Sequence, residues 1–198
     1  MMLTRNEVEE VMRLEGRARG AAFQTDRLYL TKVRGEEGVH ALEGKLQTLG
    51  YPIRYSTVKA MEWLPVGLRI LSLLAIKDLF DWSNDEIKAM GNAAPAYSFI
   101  VKLFMKVLGS LELALTRVPD YWRSHYSVGV VEAELFAAEQ RLVLTIKGFK
   151  GHPILCKYLE GYFERSLSAV CPRRKIEAVE TECVYRGHVH HRYIISWE

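Results

Sequence analysis

The chain has 198 residues, with 27 Lys and Arg against 24 Asp and Glu, for a formal charge of +3. About half of it, 49%, is hydrophobic, enough for one core and too much for a disordered chain. So small a charge bias, with the basic residues dispersed apart from Arg173, Arg174 and Lys175, leaves no electrostatic footprint for nucleic acid.

Thr4 and Glu7 form a capping box ahead of a short amphipathic turn carrying Val8, Val11 and Met12. Residues 21–30 fit a strand or a helix. Residues 35–49 read as a helix ended by Gly50 and Pro52. Pro65 opens the next helix, in which Val66, Ile70, Leu73, Leu74 and Lys77 keep helical spacing. This apolar run is interrupted by Arg69, Lys77 and Asp78, which makes it a buried helix rather than a membrane span. Ser83 and Glu86 cap a short helix expected to stop at Gly91. Residues 95–116 read as a long apolar helix, and Pro119 as the start of a final aromatic turn at 120–126.

Beyond this point the period changes from helical to alternating. Residues 128–135 and 141–146 read as a strand pair, and 152–170 as a helix with Leu155, Leu159, Phe163 and Leu167 on one face. Residues 175–185 and 189–197 read as two more strands. The expected architecture is α+β, a helical N-terminal half packed on an antiparallel sheet, with a ββαββ C-terminal half. Residues 1–20 are expected to be an extension and 21–198 a single domain. A charged N-terminus and three cysteines predict a cytoplasmic protein with reduced thiols and no membrane association.

The last stretch carries the most specific chemistry. Cys156, Glu180, Cys183 and His191 combine thiolate, carboxylate and imidazole, all metal ligands. A short loop centred on Gly187 places Cys183 opposite His191, where cross-strand Cβ atoms lie roughly 4.5–5.5 Å apart. Cys156 falls in the first turn of the preceding helix. Glu180 is out of phase, because alternation sends it to the face opposite Cys183. A bulge near Thr181 is needed to unite them. Spacing alone leaves a second reading open, in which the cysteines are small core residues and the glutamate faces solvent.

With these residues in hand, the segment 156–195 resembles the 4-vinyl reductase-type domain family, which includes ligand-sensing domains of bacterial phenol-responsive transcription activators. In that family a cysteine at a helix start, a Glu-x-x-Cys and a glycine-histidine turn ending in Cys-Arg hold a structural zinc. Cys156, Glu180, Cys183 and the run from Gly187 to Arg192 fall in register, with His191 where the family has cysteine. The resemblance implies zinc as cofactor, held by Cys156, Glu180, Cys183 and His191, and a homodimer. Between Gly16 and Val170 only the order of elements is similar. That order is also similar to myxobacterial proteins of unknown function and, more distantly, to haem–nitric oxide-binding domains. Haem needs an axial side chain, and the helix expected at 95–116 contains no histidine; His125 follows it. The phenol sensors hold the phenol hydroxyl with a histidine and a tryptophan, where this chain has Val107 and Leu135.

Aromatic residues crowd the middle of the chain. Trp122, Tyr126 and Phe104 are the candidate ligand-binding residues of an apolar pocket of roughly 300–1,000 Å³; an aromatic core explains them as well. Glu132 and Glu134 share one strand face, which suits either a carboxylate pair or an exposed surface. No nucleotide-binding, kinase or Gly-x-Ser-x-Gly pattern is present, and no catalytic residue is assigned. The function these readings favour is a small-molecule-binding sensory module for a hydrophobic ligand with a structural zinc. Its alternatives are an enzyme or accessory protein of tetrapyrrole metabolism and a dimeric interaction scaffold.

Overall fold

A computed structural model describes residues 3–97, 111–171 and 174–198. The first helix, α1 (Arg5–Met12), is closed by the expected capping box: Thr4 Oγ1 accepts from the Glu7 N–H and the Glu7 carboxylate accepts from the Thr4 N–H at 2.9 Å. Val8 and Val11 are buried against α3 (Val66–Phe80). Gly67 permits the contact, since a Cβ there would lie 2.4 Å from the Val11 carbonyl oxygen. Strand β1 (Arg17–Arg19) pairs antiparallel with β2 (Trp63–Pro65), a short sheet that residue patterning did not reveal.

The ambiguous segment 21–30 is helical. It forms the first half of α2 (Gly20–Thr48), which runs on into the expected helix at 35–49. Gly35, at φ 70° and ψ −180°, breaks the helical path between the two halves. Phe23, Asp26 and Leu30 share the buried face at helical spacing. Helix α3 is apolar nearly all round and correspondingly buried.

The expected stop at Gly91 is corrected: α4 (Asn84–Tyr97) continues through it and through Pro95. Tertiary contact decides the matter. A Cβ at Gly91 would lie 1.9 Å from the Tyr158 carbonyl oxygen, and one at Gly161 would lie 1.9 Å from that of Lys88. Gly91 is therefore a close-approach residue for a neighbouring helix, not a terminator. The helix expected at 95–116 falls largely on residues 98–110, outside the described residues. Helix α5 (Leu111–His125) carries Pro119 within it, which corrects the expectation that Pro119 opens a new turn.

The C-terminal half is ββαββ as expected. Strands β3 (Val130–Phe136), β4 (Arg141–Lys147), β5 (Ile176–Glu182) and β6 (His191–Trp197) form one antiparallel sheet in the order β3-β4-β6-β5. Helix α6 (Pro153–Val170) packs on the face that carries Leu144, Ile146, Ala178, Tyr193 and Ile195. Its N-cap is His152, whose side chain accepts from the Ile154 N–H at 3.2 Å. The α+β class and the division into a helical half and a sheet half are as the sequence predicts. No helix among the described residues is long and apolar enough to cross a membrane.

Candidate metal centre

The four residues singled out by spacing come together. One ligand atom from each of Cys156, Glu180, Cys183 and His191 can be chosen so that all lie within 4.8 Å of one another. Cys156 stands in the first turn of α6 and looks onto the sheet. His191 opens β6, with Nδ1 2.8 Å from Glu180 Oε1 and 3.6 Å from Cys156 Sγ. Cys183 follows β5 and precedes a tight turn in which its carbonyl accepts from the Arg186 N–H at 2.9 Å. Gly187 completes that turn at φ 87°, a left-handed conformation glycine adopts without strain.

The bulge demanded by strand alternation is present. Glu182 pairs with Arg192 and Glu180 with Tyr193, so Thr181 is the extra residue. It turns Glu180 onto the same face as Cys183. Two neighbours fix Glu180 further: the Glu160 carboxylate accepts from its N–H at 3.0 Å, and Arg186 donates to its carbonyl at 3.1 Å.

Cys156, Cys183 and His191 are buried and Glu180 is partly so. Burial, reinforced by the adjacent Glu180 charge, pushes the Cys156 thiol well above the usual range. Burial acts to raise Glu180 as well, but hydrogen bonds from His191 and Cys156 outweigh it and hold the carboxyl below its ordinary value. His191 Nε2 is buried without a hydrogen-bond partner. Two thiols, an anionic carboxylate and an imidazole nitrogen converging in this way make a four-donor set from protein side chains alone.

The aromatic candidates lie elsewhere. Trp122 and Tyr126 are both buried, their rings stacked at 4.6 Å, with Phe149 edge-on to Trp122 at 5.2 Å. The Trp122 indole donates to the Val128 carbonyl at 2.9 Å. Phe104 lies outside the described residues. Glu132 and Glu134 are exposed on β3, and Glu132 pairs with Lys147 at 2.6 Å.

A second polar constellation escaped the sequence reading. Arg69 of α3, fully buried, grips Asp26 of α2 through both terminal nitrogens. Tyr158 of α6 donates to Asp26 Oδ1 at 3.3 Å, and its ring lies 4.6 Å from the Arg69 guanidinium. Tyr55 and Ser72 share a hydrogen bond beside them. The signal was an arginine inside an otherwise apolar helix. A buried charge demands a partner.

No family model and no curated protein matches the chain. Solved structures do. An H-NOX protein from Shewanella oneidensis in its Fe(II)NO ligation state is 13% identical, at a TM-score of 0.68 over 91% of this chain and 99% of its own. An oxygen-binding H-NOX domain related to soluble guanylate cyclases, as its oxygen complex, is 12% identical, with a TM-score of 0.61 over 90% and 92%. A structure concerned with haem redox potential and porphyrin distortion gives 12% and 0.61 over 90% and 99%. At these identities the likeness is one of fold. Of the three likenesses read from the sequence, the most distant, to haem–nitric oxide-binding domains, is the one these structures carry. The 4-vinyl reductase-type likeness has no matching family model.

The expectation of zinc as the cofactor is corrected by the same finding. What is described for proteins of this fold is ferrous iron, haem and a diatomic gas.

The histidines of the described residues do not offer haem an axial ligand. The sequence has no histidine between His40 and His125. His40 lines an open groove of about 300 Å³ with Glu43 and Arg54, too small to enclose a porphyrin. His125 Nδ1 lies 3.0 Å from the Tyr121 carbonyl, and its ring is tilted 38° to that of Tyr121 at 4.4 Å between centroids. His152 caps α6, His188 closes the Cys183 turn, His190 lies 2.7 Å from Glu182, and His191 belongs to the cluster.

Proposed function

We propose that this chain is a small-molecule-responsive sensory module in which a divalent transition-metal ion, bound by Cys156, Glu180, Cys183 and His191, joins α6 to the β5–β6 hairpin. The likeness to H-NOX domains, which spans nine-tenths of both chains, supports the sensory reading. The convergence of the four ligand atoms within 4.8 Å carries the metal reading. Sulfur and nitrogen donors favour transition-metal ions over Mg²⁺ or Ca²⁺. Four protein ligands leave no open position for a reacting water, so the role of the ion is structural.

The sensed molecule is a hydrophobic one, seated against the aromatic face of Trp122 and Tyr126. The aromatic density of this region and the resemblance to hydrocarbon-sensing domains support that placement. The same resemblance supports a homodimer, which sedimentation tests directly: a particle of 22.7 kDa at micromolar concentration removes that part of the reading.

Native mass spectrometry of the freshly purified chain, combined with elemental analysis, tests the whole. The expected result is one metal ion per chain and a further increment from a bound organic molecule. A bare polypeptide mass, together with no saturable binding of an apolar fluorescent naphthalene dye, overturns the proposal.

A further inference from the structure

Glu160 is only 3% exposed, yet its carboxylate belongs neither to the four-donor set nor to the aromatic cluster. It lies one turn beyond Cys156 on α6, on the same face, and reaches the edge of the sheet. There Oε1 accepts from the backbone N–H of Glu180 at 3.0 Å, while Lys157 pairs with the same carboxylate at 2.9 Å. One turn further on, Glu164 accepts from the Ala178 N–H at 3.0 Å and pairs with Lys88 at 2.7 Å. Two carboxylates one helical turn apart thus meet two outward N–H groups of the edge strand β5, two residues apart. The second contact holds regular strand; the first holds the residue at which the ladder shifts register.

We infer that Glu160 is a positioning residue of the metal centre: by holding the Glu180 N–H it fixes the Thr181 bulge that brings the Glu180 carboxylate onto the face shared by Cys156, Cys183 and His191. The physical argument is one of alternatives. Without the bulge, alternation puts Glu180 and Cys183 on opposite faces. A bulge leaves an unpaired residue and a disturbed ladder, and a partly buried N–H beside it is satisfied best by an acceptor from the protein. Glu160 supplies that acceptor from the same helix that supplies Cys156. One element therefore sets both the thiolate and, through the backbone, the carboxylate. Outer partners of this kind orient metal ligands, and their loss commonly weakens affinity about 10- to 100-fold.

This inference rests on the metal reading above, and the test separates the two. Cobalt(II) is titrated into the metal-stripped full chain, and thiolate-to-cobalt charge transfer in the near ultraviolet and the visible ligand-field bands are recorded. Wild type is compared with Glu160→Ala, Glu160→Gln and Glu164→Ala. The expected result is saturable binding with tetrahedral-type bands for wild type. Glu160→Ala should show affinity lowered about 10- to 100-fold with altered ligand-field bands. Glu160→Gln keeps an acceptor oxygen and should recover the wild-type spectrum. Glu164→Ala removes the matching contact at Ala178 and should leave the bands where they are. Cobalt uptake by wild type with an identical spectrum and affinity in Glu160→Ala overturns the role of Glu160 and leaves the metal centre standing. Equal changes in Glu160→Ala and Glu164→Ala also overturn it, since both then report only on docking of the helix. No cobalt uptake by wild type overturns the centre and, with it, the inference.

Discussion

Two buried polar constellations divide the molecule between them. In the helical half, Asp26 and Arg69 join a carboxylate to a guanidinium and surround the pair with Tyr55, Tyr158 and Phe23. In the sheet half, Cys156, Glu180, Cys183 and His191 bring together two thiols, an imidazole nitrogen and one carboxylate. The first is closed on itself: its cation and anion both come from the chain. The second gathers lone pairs and negative charge toward one point. Both are largely buried, so burial does not distinguish a structural polar core from a ligand centre. The sign and balance of the donors do.

Breaking the self-contained pair should have the largest effect. Arg69→Met leaves Asp26 buried without its partner, which typically costs about 3–5 kcal/mol. The double variant Asp26→Leu with Arg69→Met should recover most of that loss, because well-packed apolar replacements of buried ion pairs are often neutral or better. Urea unfolding of the two single variants and the double variant gives the coupling. A double variant as unstable as the singles would show that the site needs its polar groups for some other reason.

The sheet-half constellation should respond to chelation where the helical one does not. With free metal at about a hundred times its dissociation constant, binding adds roughly 2.7 kcal/mol. For a chain of this size that is a Tm change of roughly 5–10 °C. Cys183→Ser should lose the metal and show the lower Tm without chelator. Arg69→Met should keep its metal content despite its lower stability. Differential scanning fluorimetry with elemental analysis separates these outcomes, and a chelator-indifferent wild type removes the distinction drawn here.

Acid should act on the helical pair. Burial raises Asp26 to about 6, and the Arg69 charge offsets this only in part. A carboxyl with a raised folded-state pKa binds its proton more tightly when folded. Its contribution to stability is fullest below the unfolded pKa near 4 and is lost as pH climbs through about 6. The groups facing it are Arg69, Tyr158, Tyr55 and Tyr126, none of which titrates in that window. Stability should therefore carry a term, at most on the order of 3 kcal/mol, that declines between about pH 4 and pH 6. Asp26→Asn should abolish this slope while leaving other carboxylates to titrate. An unchanged pH profile in that variant would assign the slope elsewhere.

The unequal legibility of the two constellations has a physical cause. Cys156, Glu180, Cys183 and His191 sit on three consecutive elements whose mutual placement follows from alternation and one hairpin. Alternation alone demands a bulge near Thr181, and the ladder does shift there. Asp26 and Arg69 are separated by 43 residues on two helices. Asp26 lay in a segment whose period was ambiguous, and nothing local says that α2 and α3 face each other there. Arg69 interrupts an apolar run, and nothing local in the sequence shows what neutralises it. Gly91 misled for the same reason. Local propensity marks it as a breaker, whereas the approach of α6 to α4 needs a residue without a side chain there.

The smallest expected effect is at the third thiol. Cys171 ends α6, its N–H donating to the Leu167 carbonyl at 2.8 Å, and it is half-buried and apart from both constellations. Substitution by serine retains that backbone bond and nearly the same volume. Cys171 packs only at the margin of the core, and changes outside fully buried positions usually fall within about 0.5 kcal/mol. Cys171→Ser should therefore match wild type in Tm to about 2 °C and in metal content, while Cys156→Ser and Cys183→Ser should not. The three variants carry the same chemical change and differ only in where the sulfur stood. If Cys171→Ser loses metal as the other two do, the donors are not confined to the four clustered residues, and the contrast between a self-balanced polar core and a converging donor set fails.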